Sequence, residues 1–119
     1  MEEERMKVVD TANAEHYMWG EGCDGWHFVK SDSLSVIKET MPGMTSEQLH
    51  YHNKAQQFFY ILSGEAIFDI EGVSYKVTQG KGIHIKPGVK HSVSNKSMQD
   101  LVFIIISEPK SQGDRVTAK

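Results

Sequence analysis

Short apolar runs, broken repeatedly by glycine and proline, dominate the hydropathy pattern of this chain. Apolar and polar residues alternate over 33–41 and 73–78, which is the period of a strand with one buried face, and 57–64 is rich in the aromatic and β-branched residues that favour strands. Turn-forming pairs such as Pro42-Gly43 and Glu71-Gly72 separate the runs. The pattern predicts roughly eight to ten short antiparallel strands, and therefore an all-β sandwich or barrel.

Several features of this pattern carry specific expectations. Further strands are predicted around residues 7–10, 26–29, 49–52, 65–72, 83–86 and 91–95. Ser63-Gly64 is predicted as a hairpin turn, because the next strand follows directly. The run LVFIIIS, 101–107, is expected to be buried on both faces. A helix over 45–57, with Ser46 as its N-cap, is a competing interpretation that the β-rich flanks oppose.

Composition narrows the class of protein. With 119 residues, the chain is long enough for one domain with a real core. A net charge of -3 and a pI near 6.0 argue against a nucleic-acid partner. The longest apolar run, 101–106, is too short to cross a membrane, and the N-terminal residues lack a signal-peptide pattern. Cys23 is the sole cysteine and is interpreted as a partly buried thiol in preference to a nucleophile. Together these features predict a cytoplasmic protein without membrane or nucleic-acid partners.

Two histidines occupy alternate positions of one predicted strand. In LHYH, His50 and His52 point to the same face while Tyr51 points to the other. Two imidazoles on one face form a metal site, a catalytic pair or a polar surface. The pattern alone leaves these alternatives open.

A second group of residues gives the chain its resemblance to the cupin family, whose two motifs lie on a double-sheet jelly roll. The first motif is matched by Gly43, His50, His52, Gln57 and Gly64, and the second by Gly80, Gly88, His91 and Asn95. The resemblance implies a double-stranded β-helix, or jelly-roll (cupin) barrel, over residues 34–107. Residues 1–33 then form an N-terminal arm with short strands, and residues 108–119 a loose C-terminal tail.

The chain departs from the family's motifs at three places. Gly43 lies farther from His50 than usual, and Lys86 occupies the usual proline position, with Pro87 following it. The family's acidic ligand is replaced by glutamine. Gln57 shares a predicted face with Phe59 and Ile61, which favours it over its neighbour Gln56.

The resemblance implies a divalent transition metal ion (Zn, Mn, Fe or Ni) held by His50, His52, His91 and Gln57. Three neutral imidazoles and an amide leave the ion its full charge. At roughly 4 Å, with an effective dielectric of about 20, one additional charge changes the attraction for an anion by about 4 kcal/mol before screening and desolvation. The site is therefore expected to favour an anionic small molecule. A cupin that lost its metal together with the acid is the alternative.

Four residues are predicted to line the substrate pocket, namely Phe59, Ile61, His84 and Lys86. His84 is also the one candidate for a catalytic base. The resulting hypothesis is a small metal-dependent enzyme, either an isomerase or lyase for a sugar acid, or an oxygenase if the metal is iron. A non-catalytic binding or sensing module is the alternative. A homodimer is expected, with Trp19 and Trp26 of the arm as a cover for the neighbouring subunit.

Overall fold

Two antiparallel sheets packed face to face make up the protein, for which a computed structural model describes residues 6–118. The all-β class is confirmed, because residues 6–118 form twelve strands and no helix. In chain order the strands are β1 (Glu15–Trp19), β2 (Cys23–Lys30), β3 (Ser35–Met41), β4 (Thr45–Ser46), β5 (His50–His52), β6 (Gln56–Ser63), β7 (Glu65–Ile70), β8 (Val73–Thr78), β9 (Gly82–Ile85), β10 (His91–Asn95), β11 (Leu101–Glu108) and β12 (Arg115–Thr117).

From β3 onwards the chain passes repeatedly between the two sheets, as in a jelly roll. One sheet has the order β1-β2-β3-β11-β6-β9, and the other has the order β12-β5-β10-β7-β8, with β4 paired to β10. The described residues contain no helix that is long and apolar enough to span a bilayer. The candidate metal ligands lie on the inner faces of both sheets, His50, His52 and His91 on one and Gln57 on the other.

Strict alternation along β6 shows why the core forms between the sheets. Gln57, Phe59 and Ile61 are buried, whereas the residues between them are exposed. The inner faces of the other strands add further large apolar side chains, among them Met41, Phe68, Val93, Leu101 and Phe103. Phe59 packs edge-to-face on Phe68, with ring centroids 5.0 Å apart.

The predicted hairpin at Ser63-Gly64 is wrong, because β6 and β7 belong to different sheets. Gly64 has a φ of 90°, and a Cβ at this position would lie 2.7 Å from the carbonyl oxygen of Asp100. Glycine is therefore needed where the chain crosses between the sheets beside β11. The predicted turn at Glu71-Gly72 does join a hairpin, β7–β8, and both of its residues have positive φ.

Other local expectations also need correction. Residues 6–10 have no regular structure, so the strand predicted at 7–10 is absent. The competing helix over 45–57 is absent as well, since this range holds β4 and β5. The β11 strand is buried on one face and partly exposed on the other, where Ile106 is 38% exposed.

The predicted boundary after residue 33 does not divide the fold. The N-terminal arm consists of β1 and β2, and β2 pairs with β3 so that the arm extends the first sheet. Residues 1–5 of the arm lie outside the described residues.

The prediction of a loose C-terminal tail over 108–119 is wrong for the described residues. β12 pairs with β5, and Arg115 lies opposite His52. The Asp114 carboxylate accepts hydrogen bonds from the backbone N–H groups of Lys54 and Ala55, both at 2.9 Å. Lys119 lies outside the part of the chain that the structure describes.

Candidate metal centre

Three buried histidines converge between the sheets. His50 and His52 project inward from β5, and His91 on β10 is the antiparallel partner of His50. Ring centroids are 4.4 Å apart for His50 and His91, 5.2 Å for His50 and His52, and 5.8 Å for His52 and His91. One nitrogen from each ring lies within 4.8 Å of the others. Two residues of one strand and one of its neighbour thus form a single cluster.

Hydrogen bonds to backbone carbonyls orient two of the rings. His50 Nδ1 lies 2.8 Å from the carbonyl oxygen of Gln48, and His91 Nδ1 lies 2.9 Å from that of Val89. Because a carbonyl oxygen only accepts, each Nδ1 carries the proton and each Nε2 keeps its lone pair. A hydrogen bond from one ring nitrogen to a carbonyl is typical of histidines that bind a metal through the other nitrogen.

Burial keeps the three imidazoles neutral. The pKa of His50 is lowered to about 3 and that of His52 to about 4, mainly by burial and in part by the nearby His91 ring. Burial likewise lowers the pKa of His91. Neutral imidazole is the form that binds a metal, so the cluster has the ligand state it needs near pH 7.

The two adjacent glutamines have opposite orientations. Gln57 is 5% exposed and donates from Nε2 to Ser107 Oγ at 3.0 Å. Gln56 lies on the outer face, where its amide contacts Glu108 and His84. Gln57 is thus the glutamine that faces the histidines' cavity.

Unpaired polar atoms supply the test of whether these residues fit a metal ion. His52 Nδ1, Gln57 Oε1 and His91 Nε2 are buried and have no hydrogen-bond partner among the described residues. A buried acceptor without a partner costs about 1–3 kcal/mol. Imidazole nitrogens and an amide oxygen suit a divalent transition ion, so the donor set fits one.

Beside the histidines lies a cavity of about 380 Å³, a volume at the small end for ligand pockets. Part of its wall is apolar and includes Phe59, as the sequence predicted, together with Ile37 and Ile105. The remaining wall is more polar and is formed by Tyr17, Trp19, His27, Glu39, Glu47, Gln57, Ser111, Gln112, Gly113 and Arg115.

Two carboxyl groups of this wall, Glu39 and Glu47, were not predicted from the sequence as site residues. Burial raises the pKa of Glu39 to about 7, against the hydrogen bond that Tyr17 Oη donates to it. Burial and the charge of Glu39 raise the pKa of Glu47 to about 8, although the Val93 N–H donates to Glu47 Oε1 at 3.1 Å. A signal for Glu39 exists in the sequence, because it shares the inward face of β3 with Ile37 and Met41.

Three predicted pocket residues lie elsewhere. His84 is exposed on β9, and its Nε2 contacts Gln56 Oε1 at 2.8 Å on the outer face, so the structure gives no support to its predicted role as a base. Lys86 is exposed and does not line the cavity, because it lies in the turn beyond β9. Ile61 is completely buried in the core and does not line the cavity either.

Sequence comparison identifies the family. The family described as "Cupin domain" matches residues 36–107. An oxalate-binding protein of Thermotoga maritima is 30% identical over 66 residues, which are 56% of this chain and 54% of that protein. An uncharacterized protein of Methanocaldococcus jannaschii is 25% identical over 80 residues, which are 67% of this chain and 64% of that protein. The chain therefore spans less than two thirds of these curated relatives.

Solved structures share the fold at low sequence identity. A predicted oxalate decarboxylase from Thermotoga maritima has a TM-score of 0.80 at 20% identity, over 87% of this chain and 100% of that chain. A polyketide cyclase from Streptomyces resistomycificus has a TM-score of 0.83 at 15% identity, over 97% of this chain and 87% of that chain. These likenesses establish the fold and leave the activity open.

Proposed function

The chain belongs to the cupin family, and on that premise we propose that it is a small metal-dependent enzyme acting on an anionic small molecule. The observation that carries the proposal is the set of buried, unpaired ligand atoms on His52, Gln57 and His91 beside one cavity. Protein interiors rarely leave several acceptors unpaired unless a ligand or ion satisfies them.

His50, His52 and His91 would hold a divalent ion (zinc, manganese, iron or nickel), and Gln57 Oε1 would be the fourth ligand. When bound, such an ion supplies Lewis acidity to an oxygen of the ligand. Because all four protein ligands are neutral, the charge of the ion is not offset within the donor set. An anionic ligand is therefore favoured, and Phe59 and Ile105 lower the local dielectric around it.

We assign proton transfer to Glu39 in place of His84. The Glu39 carboxyl lines the cavity, and Tyr17 Oη donates a hydrogen bond that orients it. Its pKa, raised by burial to about 7, lies near the value at which a group both accepts and returns protons at neutral pH. Isomerisation or elimination next to a carbonyl uses a group that accepts and returns a proton in this way. The alternative oxygenase reaction would require the ion to be iron.

Metal analysis is the first test of this function. Protein purified without chelators should contain one transition ion per chain, and His52→Ala should lose most of it. Metal-loaded protein is then screened for turnover of sugar acids, α-keto acids and diacids. A metal content near zero in the unmodified protein would contradict the proposal.

A non-catalytic binding module is the second candidate. The oxalate-binding protein of Thermotoga maritima favours it, since that relative is 30% identical over the matched residues. Glu39→Gln separates the two candidates for any acid that binds. An enzyme should lose turnover while retaining binding, whereas a binding module shows no turnover before or after the change.

The cytoplasm is the proposed location. Cys23 is the sole cysteine and is buried as a free thiol, which suits a reducing compartment. Fractionation of the native host with an antibody to the chain would test this location.

A further inference from the structure

The C-terminal strap, defined as residues 111–115, forms part of the cavity wall. Ser111, Gln112, Gly113 and Arg115 line the cavity. The strap is held in place by the two backbone hydrogen bonds to Asp114 and by pairing of β12 with β5. Arg115 is the antiparallel partner of His52, and side chains at paired positions share one face of a sheet about 5 Å apart at Cβ. A cation, on the exposed residue Arg115, therefore lies beside the candidate metal ligands.

The donors of this cation are almost entirely free. Among residues 6–118, the Arg115 side chain makes one hydrogen bond, from Nη2 to the carbonyl oxygen of Gln48 at the long distance of 3.5 Å. Its guanidinium has five N–H donors in a planar fork that matches a carboxylate. No described carboxylate lies within 4.0 Å of it, so the fork is available to a ligand.

The positive charge of Arg115 acts on several titratable groups around the cavity. Burial is the main cause that lowers the pKa of His50, His52 and His91, and Arg115 contributes to the lowering of all three. Arg115 also opposes the effect of burial on Glu39 and Glu47. These are the charged or titratable groups that face it from β3, β5, β10 and the segment before β5.

We propose that Arg115 is a second anchor for the substrate, and that the substrate is a small molecule with two anionic groups. One carboxylate lies at the histidine cluster, and the other pairs with the Arg115 guanidinium on the neighbouring strand. The assignment rests on the proposed function, because the first anchor is the metal centre. A cavity of about 380 Å³ suits a dicarboxylate of a few carbons.

Succinate and butyrate form a matched pair of probes, since both have four carbons and butyrate lacks the second carboxylate. Calorimetry on zinc-loaded protein compares the unmodified chain with R115Q, R115K and the control K86Q, which removes an exposed lysine outside the cavity. R115Q should weaken succinate binding about ten- to hundred-fold and leave butyrate within about two-fold. K86Q should change neither affinity, and R115K should give an intermediate loss for succinate.

Direct contact is observable by NMR. Arg5 is the only other arginine of the sequence, so ¹⁵N-labelled protein has two Arg Nε–H signals to follow. Succinate should shift the Arg115 signal, which is the one missing from R115Q. Zinc content and thermal unfolding of R115Q show whether the variant is folded, and R115K tests the assignment if it is not.

Equal affinity for succinate and butyrate in the unmodified protein would overturn the second anchor while leaving a metal-dependent carboxylate site. A similar loss of both ligands in R115Q would also overturn it, because the residue would then act through the metal or the fold. If zinc-loaded protein binds neither acid, the proposed function fails and the second anchor fails with it.

Discussion

Adjacent residues of β6 show how strongly position on a strand determines chemistry. Gln56 and Gln57 have the same side chain, yet the first lies on the outer face beside His84 and the second faces the cavity. The alternation of a strand separates them completely. A ligand role is therefore open to Gln57 alone.

Replacing each glutamine in turn tests this difference. Gln57→Ala should weaken zinc binding by about ten-fold or more, because it removes a donor oxygen from the centre. Gln57→Glu should retain zinc and weaken binding of anions, since it adds a negative charge. Competition with a chelating dye measures the zinc affinities, and calorimetry on zinc-loaded protein measures the binding of anions. Gln56→Ala is the matched control, and a larger zinc loss in that variant would show that the wrong glutamine was chosen.

Glu39 gives the fold a measurable pH dependence. Burial raises its pKa from 4.5 to about 7, so the folded protein holds a proton that the unfolded chain releases. The free energy of unfolding should therefore fall as the pH rises from 4.5 towards 7. Above pH 7, the accumulated loss is at most about 3–4 kcal/mol, for about 2.5 pKa units at 1.36 kcal/mol each.

Glu39→Gln should abolish this fall of the free energy of unfolding with pH in chelator-treated protein. Urea unfolding at two pH values, about 5 and about 7.5, measures the difference between the variant and the unmodified chain. The histidines titrate in both proteins, so their contribution cancels in that difference. Glu21→Gln, at an exposed position, is the control. A pH-independent difference for Glu39→Gln would contradict the prediction.

At the scale of elements, β12 links the C-terminal residues to the strand that carries two of the histidines. Three residue pairs join it to β5, and the Asp114 carboxylate satisfies two backbone donors in the loop after β5. The Asp114 carboxylate is hardly buried, so its backbone hydrogen bonds are the main cause of its lowered pKa. Those N–H bonds hold the pKa of Asp114 below its usual value, so the carboxylate remains ionised at neutral pH.

Asp114→Ala should detach β12 from its neighbour. Loss of the acceptor should reduce the free energy of unfolding by about 1 kcal/mol at neutral pH, in analogy to the loss of a helix cap. Hydrogen exchange of the Val116 amide should accelerate, while that of Phe103 in the core stays slow. Asp114→Asn keeps an acceptor oxygen and should lose less stability. Unchanged exchange at Val116 in Asp114→Ala would show that the strap is held by other contacts.

At the scale of the whole molecule, the outer face of the first sheet is unusually apolar. Phe58, Tyr60 and Leu62 on β6 and Ile106 on β11 are each between 38% and 40% exposed. Contiguous apolar surface of this kind commonly mediates association. Trp19, by contrast, lines the cavity of its own chain, which makes it a poor cover for a neighbouring subunit.

We therefore expect a homodimer formed through this outer face. Light scattering at micromolar concentration should give about twice the chain mass of 13.5 kDa. Ile106→Lys should shift the protein towards monomer without loss of metal, because residue 106 points away from the histidines. Val73→Lys, on the exposed β7–β8 hairpin, is the control and should remain dimeric. A monomer mass for the unmodified protein would exclude this assembly.

The sequence by itself determined the all-β class, the inward direction of His50, His52 and Gln57, and the family. These properties are local. Alternation in a strand repeats every second residue, and the family's motifs are short spacings that a linear pattern preserves. For the same reason the hairpin at Glu71-Gly72 was predictable.

Only the tertiary structure decided which distant residues share the cavity. Ser63-Gly64 reads as a hairpin because a glycine with positive φ serves equally in a turn and in a crossing between sheets. Asp114 anchors the C-terminal strap through backbone N–H groups, which carry no side-chain identity and leave no pattern in the sequence. Packing of the two sheets brings Glu39 to the histidines, and pairing of β12 with β5 brings Arg115 to them.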